Sequence, residues 1–170
     1  RRRRRRSAAL RLMAAPKWCW WLSGSVVILD QAAKYLAATV LPLHQPVAIW
    51  PSFNLLLTYN TGAAFSFLAR ASGWQRWFFL GLSLAVSIGL IVWLRRIKPE
   101  ERWLATALAL ILGGAVGNLI DRAWLGQVVD FIQLYYDRWY WPAFNIADSA
   151  ISVGAVLLVI DSLRSRKTGD

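Results

Sequence analysis

The chain has 170 residues, 57% hydrophobic and 17% charged, with a net charge of +11. Roughly 25% charge is usual for a soluble domain, and the apolar residues here form long unbroken runs, which excludes a small soluble globule and assigns the runs to lipid. Cys19 is the single cysteine and His44 the single histidine, which excludes an intrachain disulfide and a multi-Cys/His zinc centre.

In chain order, residues 1–17 form a basic tail that opens with Arg1–Arg6, and Met13 makes Arg1–Leu12 read as an extension. Basic residues at the ends of apolar runs are topology signals; a nucleic-acid or anionic-lipid role would attach only to the arginine run, and no nucleic-acid partner is expected. The first apolar run, 18–41, is too long for a cleaved signal peptide and carries Asp30 and Lys34. In the connector 42–73, Val47, Ile49, Phe53, Leu55, Leu57 and Tyr59 recur at alternate positions around a Trp50–Pro51–Ser52 break, which predicts a small β element. Further runs over 74–94, 103–122 and 144–163 each meet the length of about 20 residues that a membrane span requires, and 164–170 is a short basic tail. The predicted fold class is an all-α membrane protein: a four-transmembrane-helix bundle over 18–163 with a small extracytoplasmic β element in the cap at 42–73.

Lys and Arg set the orientation. The two tails and the 95–102 loop hold 15 of the 20 basic residues, and the two longer connectors, extended to Arg76 and Arg122, hold four. Both termini are therefore expected in the cytoplasm, with 42–73 and 123–143 outside. Trp18, Trp20, Trp21, Trp93 and Trp103 then mark the inner interface, and Trp74, Trp77, Trp139 and Trp141 the outer one.

Ionisable groups in lipid are costly, so the acids are the functional candidates. Glu100, Glu101, Asp137, Asp161 and Asp170 read as solvated or interfacial charge, which leaves Asp30, Asp121, Asp130 and Asp148. Asp148 is the fifth residue of the last run, roughly 6 Å below its outer end, and Asp130 follows the third run on the same side. Two carboxylates that share a proton can activate a water and protonate a carbonyl, as amide hydrolysis requires. The residues alone leave another reading open, in which Asp130 is a turn residue and Asp148 a helix N-terminal acid favoured by the dipole.

Asp30 and Lys34 stand i, i+4, which suits a buried ion pair or, alternatively, a proton relay. A Ser–Lys centre of Lys34 with Ser23 or Ser25 would lie toward the cytoplasmic side, wrong for an exported substrate. Asn60, followed by Gly62 in a turn-forming run, offers donors and an acceptor; Asn118 and Arg122 crowd the outer end of the third run with Asp121; Asn145 shares a helix face with Asp148. Gly113, Gly114 and Gly117 suit close helix packing.

Five segments in order resemble the lipoprotein signal peptidase family, also called signal peptidase II: Leu29-Asp30-Gln31 with Lys34; Tyr59-Asn60-Thr61-Gly62-Ala63-Ala64-Phe65-Ser66; Gly113-Gly114-Ala115 and Gly117-Asn118 with Asp121-Arg122; Val128-Val129-Asp130-Phe131; and Phe144-Asn145-Ile146-Ala147-Asp148. The resemblance implies an aspartic endopeptidase of the bacterial inner membrane, with Asp130 and Asp148 as its catalytic dyad at the outer leaflet. The implied substrate is a diacylglyceryl-modified prolipoprotein cut immediately before its lipobox cysteine. By the same carry-over Asn60, Gly62, Asn118, Arg122 and Asn145 line or support the site, Asp30 and Lys34 belong to the family pattern, and the strand segment is the substrate-clasping cradle. The resemblance further implies inhibition by globomycin, membrane lipid as partner, no metal or cofactor, and a monomer. A small ion or proton transporter, or a lipid-binding scaffold, is the alternative; a transporter leaves the Asp130 segment and the Asn-rich outer cluster unexplained, with no inverted repeat visible, and a scaffold would tolerate loss of either carboxylate.

Overall fold

The computed structural model describes residues 15–62 and 74–167. The Arg1–Arg6 run, Met13, the Ala63–Ser66 portion of the Asn60 segment and Asp170 lie outside the described residues. Among the described residues, four helices and four strands follow in the order α1 (Lys17–Val40), β1 (Val47–Trp50), β2 (Phe53–Asn60), α2 (Trp74–Leu94), α3 (Arg102–Trp124), β3 (Val128–Tyr136), β4 (Trp139–Tyr140) and α4 (Ile146–Lys167). Among the described residues, three stretches are long and apolar enough to cross a membrane: Trp74–Leu94, Arg102–Trp124 and Ile146–Arg164. α1 has the length, 24 residues, but Asp30, Gln31 and Lys34 lower its apolar content.

α3 is the central helix and packs against α1, α2 and α4. Ser23 Oγ donates to the Ala109 carbonyl at 2.7 Å, and Lys34 reaches Asp121, so α1 and α3 run parallel in a constant register. Small residues permit the approach. A Cβ on Gly113 would lie 2.7 Å from Val26 Cβ, and one on Gly117 2.7 Å from Asp30 Oδ2. Ala109, Gly113, Gly117 and Asp121 thus form an i, i+4 stripe facing α1, the small-residue packing expected where apolar burial gives helices little drive to associate in lipid. On another face of α3, Gly114 lies against the Ala147 carbonyl of α4. The apolar core, with Cys19, Leu90, Leu94, Leu108 and Leu112, fills one end of the bundle. Polar side chains fill the other.

The sheet is antiparallel with strand order β1-β2-β3-β4. Its first hairpin is the β element expected from the alternation at 47–59. β3 and β4 were not anticipated in the 123–143 connector, because Val128–Tyr136 carries apolar residues on both faces and shows no alternation. Asp130 is accordingly a strand residue opposite Thr58, not a turn residue. Two local devices aim it. Gly126 adopts φ 76 and donates to the Arg122 carbonyl at 3.1 Å, ending α3 with a left-handed cap that returns the chain across the helix end. Ile132 and Phe144 then exchange backbone hydrogen bonds of 2.9 and 3.0 Å, which brings Asn145 alongside β3.

Asn145 caps α4: its Oδ1 accepts from Asp148 N at 2.9 Å, and its own N donates to Asp148 Oδ2 at 3.3 Å. This is a reciprocal capping box with aspartate in the third helical position. Asp148 therefore sits in the first turn, nearer the helix end than an onset at 144 would place it.

The tight α3–α4 contact predicts that Gly114→Ala lowers thermal stability in detergent by about 1–3 kcal/mol, since the α4 backbone must shift. Gly24→Ala, with nothing within 4 Å of the added methyl, should be neutral or stabilising; equal losses for both would remove the packing argument.

Candidate active site

The polar end of the bundle is built on Lys34. Its ammonium lies 2.8 Å from Asp30 Oδ2, 2.8 Å from Asp121 Oδ2 and 2.9 Å from Asn118 Oδ1. Three donors meet three acceptors, although Lys34, Asp30 and Asp121 are only 3%, 0% and 4% exposed. The acids use their remaining capacity on backbone. Asp30 Oδ1 accepts from Ala147 N at 2.8 Å, an amide that has no intrahelical partner in the first turn of α4, and Asp121 Oδ2 accepts from Val129 N at 3.1 Å. Gln31 Nε2 bridges Asp121 Oδ1 at 2.8 Å with Asp30 Oδ2 and the Gly117 carbonyl at 3.2 Å each. One ion cluster thereby ties α1, α3, α4 and β3 together, and no buried side-chain polar atom among the described residues lacks a partner.

Two asparagines carry the network onward. Asn118 Nδ2 donates to Asp148 Oδ1 at 2.8 Å. Asn145, fully buried, donates through Nδ2 to Asp130 Oδ1 at 2.8 Å and to Asn118 Oδ1 and the Val129 carbonyl at 3.2 Å. Asp130 and Asp148 both line a cavity of about 830 Å³ between the sheet, the 141–144 segment and the start of α4. Asn60 and Arg122 line it too. Asn60 hydrogen-bonds Asp130 and accepts Gly62 N at 2.9 Å. Arg122 donates to the Asn118 carbonyl at 3.3 Å and the Gly62 carbonyl at 3.5 Å, with its guanidinium 5.7 Å over the Phe79 ring. Burial, and next the neighbouring charge of Asp148, push the Asp130 carboxyl up to about 7, against the opposing hydrogen bonds of Asn145 and Asn60 and the Lys34 cation. A group that holds its proton near neutral pH beside a second carboxyl suits acid–base chemistry.

The family profile described as "Signal peptidase (SPase) II" matches residues 22–164. A lipoprotein signal peptidase of Pseudomonas aeruginosa (strain PAO1) is 55% identical over 152 residues, covering 88% of this chain and 90% of the relative. One from Pseudomonas fluorescens (strain Pf0-1) is likewise 55% identical, covering 88% and 89%.

The chain belongs to the signal peptidase II family.

Two solved bacterial membrane enzyme structures, both obtained by the in meso method, are each 30% identical to it. One gives a TM-score of 0.81 over 93% of this chain and 94% of its own; the other gives 0.77 over 89% and 96%. Family membership makes this a multi-pass membrane peptidase.

Within this signal peptidase II chain, the nine residues expected at the site from the sequence all converge on the polar end. Asp130, Asp148, Asn60, Asn118 and Arg122 line the cavity, Asn145 bridges behind it, and Gly62 receives Arg122. Asp30 and Lys34 lie one layer deeper as the expected i, i+4 pair. Asp121, one of the four candidate acids, has no role assigned by the sequence, and Gln31 none; the structure makes Asp121 the second acid on Lys34, in line with the 109–113–117 stripe toward α1. A Ser–Lys centre is not formed: Lys34 is saturated, and Ser23 is committed to the Ala109 carbonyl.

Asp130 also makes stability depend on pH. Its carboxyl sits at about 7 in the folded protein against an ordinary 3.8, so the folded state keeps a proton that the unfolded chain releases. Stability therefore falls as pH rises between those values and levels off above them. Asp130→Asn should melt at a higher temperature than wild type at pH 8, with the gap closing toward pH 4; a pH-independent gap would contradict the perturbed carboxyl.

Proposed function

We propose that this peptidase is an aspartic endopeptidase in which Asp130 and Asp148 form the catalytic dyad, and that it cleaves diacylglyceryl-modified prolipoproteins immediately before the lipobox cysteine. The observation that carries the reading is the meeting of two carboxyls from separate elements, one in β3 and one in the first turn of α4, at a single cavity with hydrogen-bonding asparagines behind both. The dyad holds one proton between its members. One carboxylate takes a proton from water as the water oxygen bonds to the scissile carbonyl carbon; the other carboxyl protonates the carbonyl oxygen. Breakdown of the resulting diol breaks the C–N bond, protonates the departing amine, and releases the signal peptide with a free carboxylate. Asn60 and Arg122, at the cavity wall, hold the substrate backbone.

The substrate's two acyl chains anchor its scissile bond near headgroup level, so lipid itself supplies positioning. All four helices cross the membrane: α1 does so with its charges turned onto α3. The basic tails and the 95–102 loop set both termini in the cytoplasm of the bacterial inner membrane, with the site at the outer leaflet. The exposed tryptophans near both ends of the helices, among them Trp21 and Trp103 at one and Trp77 and Trp139 at the other, fit two interfacial belts. The enzyme acts as a monomer without metal or cofactor, and globomycin inhibits it.

Purified protein is tested on a diacylglyceryl-modified prolipoprotein, with cleavage read by mass. Wild type should release the signal peptide, whereas folded Asp130→Asn and Asp148→Asn should each lose about 100-fold or more. Substantial turnover by either variant would refute the dyad, and no turnover by wild type would refute the substrate.

A further inference from the structure

We infer that the dyad's roles are divided by Lys34: this buried cation orients Asn118 so that Asp148 is held as the water-activating carboxylate, leaving Asp130 to carry the shared proton. The inference rests on the dyad reading above and deepens it. Lys34 is a positioning residue here and touches neither carboxyl of the pair through any hydrogen bond described above.

An ammonium has no acceptor, so the Asn118 atom 2.9 Å from Lys34 Nζ must be the carbonyl oxygen. Asn145 Nδ2, 3.2 Å from that same oxygen, reinforces the orientation. The other end of the Asn118 amide is then an NH₂ group, and it meets Asp148 Oδ1 at 2.8 Å. Asp148 Oδ2 faces a second obligate donor, the backbone N–H of Asn145. Both oxygens of Asp148 thus accept from N–H groups, in the first turn of α4, where unpaired amides and the helix dipole favour negative charge.

Asp130 is served differently. The Asn145 NH₂ that reaches it has two hydrogens for three acceptors: Asp130 Oδ1, Asn118 Oδ1 and the Val129 carbonyl. Asn60 adds a bond. A strand supplies no dipole comparable to that of a helix end, and the side chain is 2% exposed. The upward displacement of the Asp130 carboxyl agrees with this geometry.

Other charged groups around the pair do not reverse the division. Asp30 from α1 and Asp121 from α3 lie against Lys34 and offset its charge, so its influence on Asp148 runs through the orientation of Asn118 more than through space. Arg122 from α3 and Tyr59 from β2 line the cavity that both carboxyls share. Without the ammonium, only the Asn145 Nδ2 contact at 3.2 Å still holds the Asn118 oxygen, and Asn118 can turn that oxygen toward Asp148. That arrangement requires a proton on Asp148 and moves the shared proton off Asp130.

The test labels aspartate side-chain carboxyls with ¹³C in detergent-solubilised wild-type protein, assigns them with Asp130→Asn and Asp148→Asn, and follows their titration. Asp130 should be the member still protonated when Asp148 is already ionised. In Lys34→Met/Asp121→Asn, which removes one acid along with the cation, the proton should pass wholly or partly to Asp148. kcat on diacylglyceryl-modified prolipoprotein should then fall at least about 10-fold with KM little changed. Asp148 retaining the proton in wild type would overturn the inference, as would an unchanged order of titration in the folded double variant. Should that variant fail to fold, the wild-type order alone decides the assignment. Failure of wild type to cleave would instead strike the dyad reading, so the two are separable.

Discussion

The structure depends on one buried ion cluster. A lysine and two aspartates at no more than 4% exposure, in a protein whose surroundings are largely lipid, are tolerable only when every donor and acceptor is used. Lys34 spends its three donors on Asp30, Asp121 and Asn118, and the two acids spend their remaining lone pairs on Gln31 and on the amides of Ala147 and Val129. Those two amides belong to the segments that carry Asp148 and Asp130. Satisfying the cluster and aiming the proposed dyad are therefore one structural requirement.

The apolar half of the bundle serves the same end. In lipid, burial of more apolar surface gives helices little reason to associate, so close backbone contact and interhelical hydrogen bonds must do it. The stripe from Ala109 through Gly113 and Gly117 brings α1 near enough for Asp30 and Lys34 to reach Asp121, and Gly114 brings in the first turn of α4. Enlarging that stripe would separate the charged partners before it disturbed the sheet. Packing at one end thus sets the electrostatics at the other.

Much of this was legible in the sequence, for identifiable reasons. Long apolar runs alone place the helices to within a few residues. The i, i+4 spacing gave the Asp30–Lys34 pair, alternation gave β1 and β2, and the Asn145–Asp148 spacing gave a shared helix face. What spacing cannot encode is contact between separate helices, so Asp121 as the second acid on Lys34 went unassigned. β3 escaped because its first residues are buried on both faces and lack a period of two. The charges of α1 lower the apolar content that the expected span over 18–41 would need, and they are turned onto α3.

Two carboxyls line one cavity from unlike surroundings, one in a polar helix cap and one in a buried strand, the condition under which similar residues take acid and base roles. The pH dependence of kcat/KM on a diacylglyceryl-modified prolipoprotein tests that account most directly. It predicts a bell-shaped profile whose alkaline limb falls near pH 7, where Asp130 gives up its proton. A rate that stays level well above that pH would show that no protonated carboxyl is needed, and would contradict it.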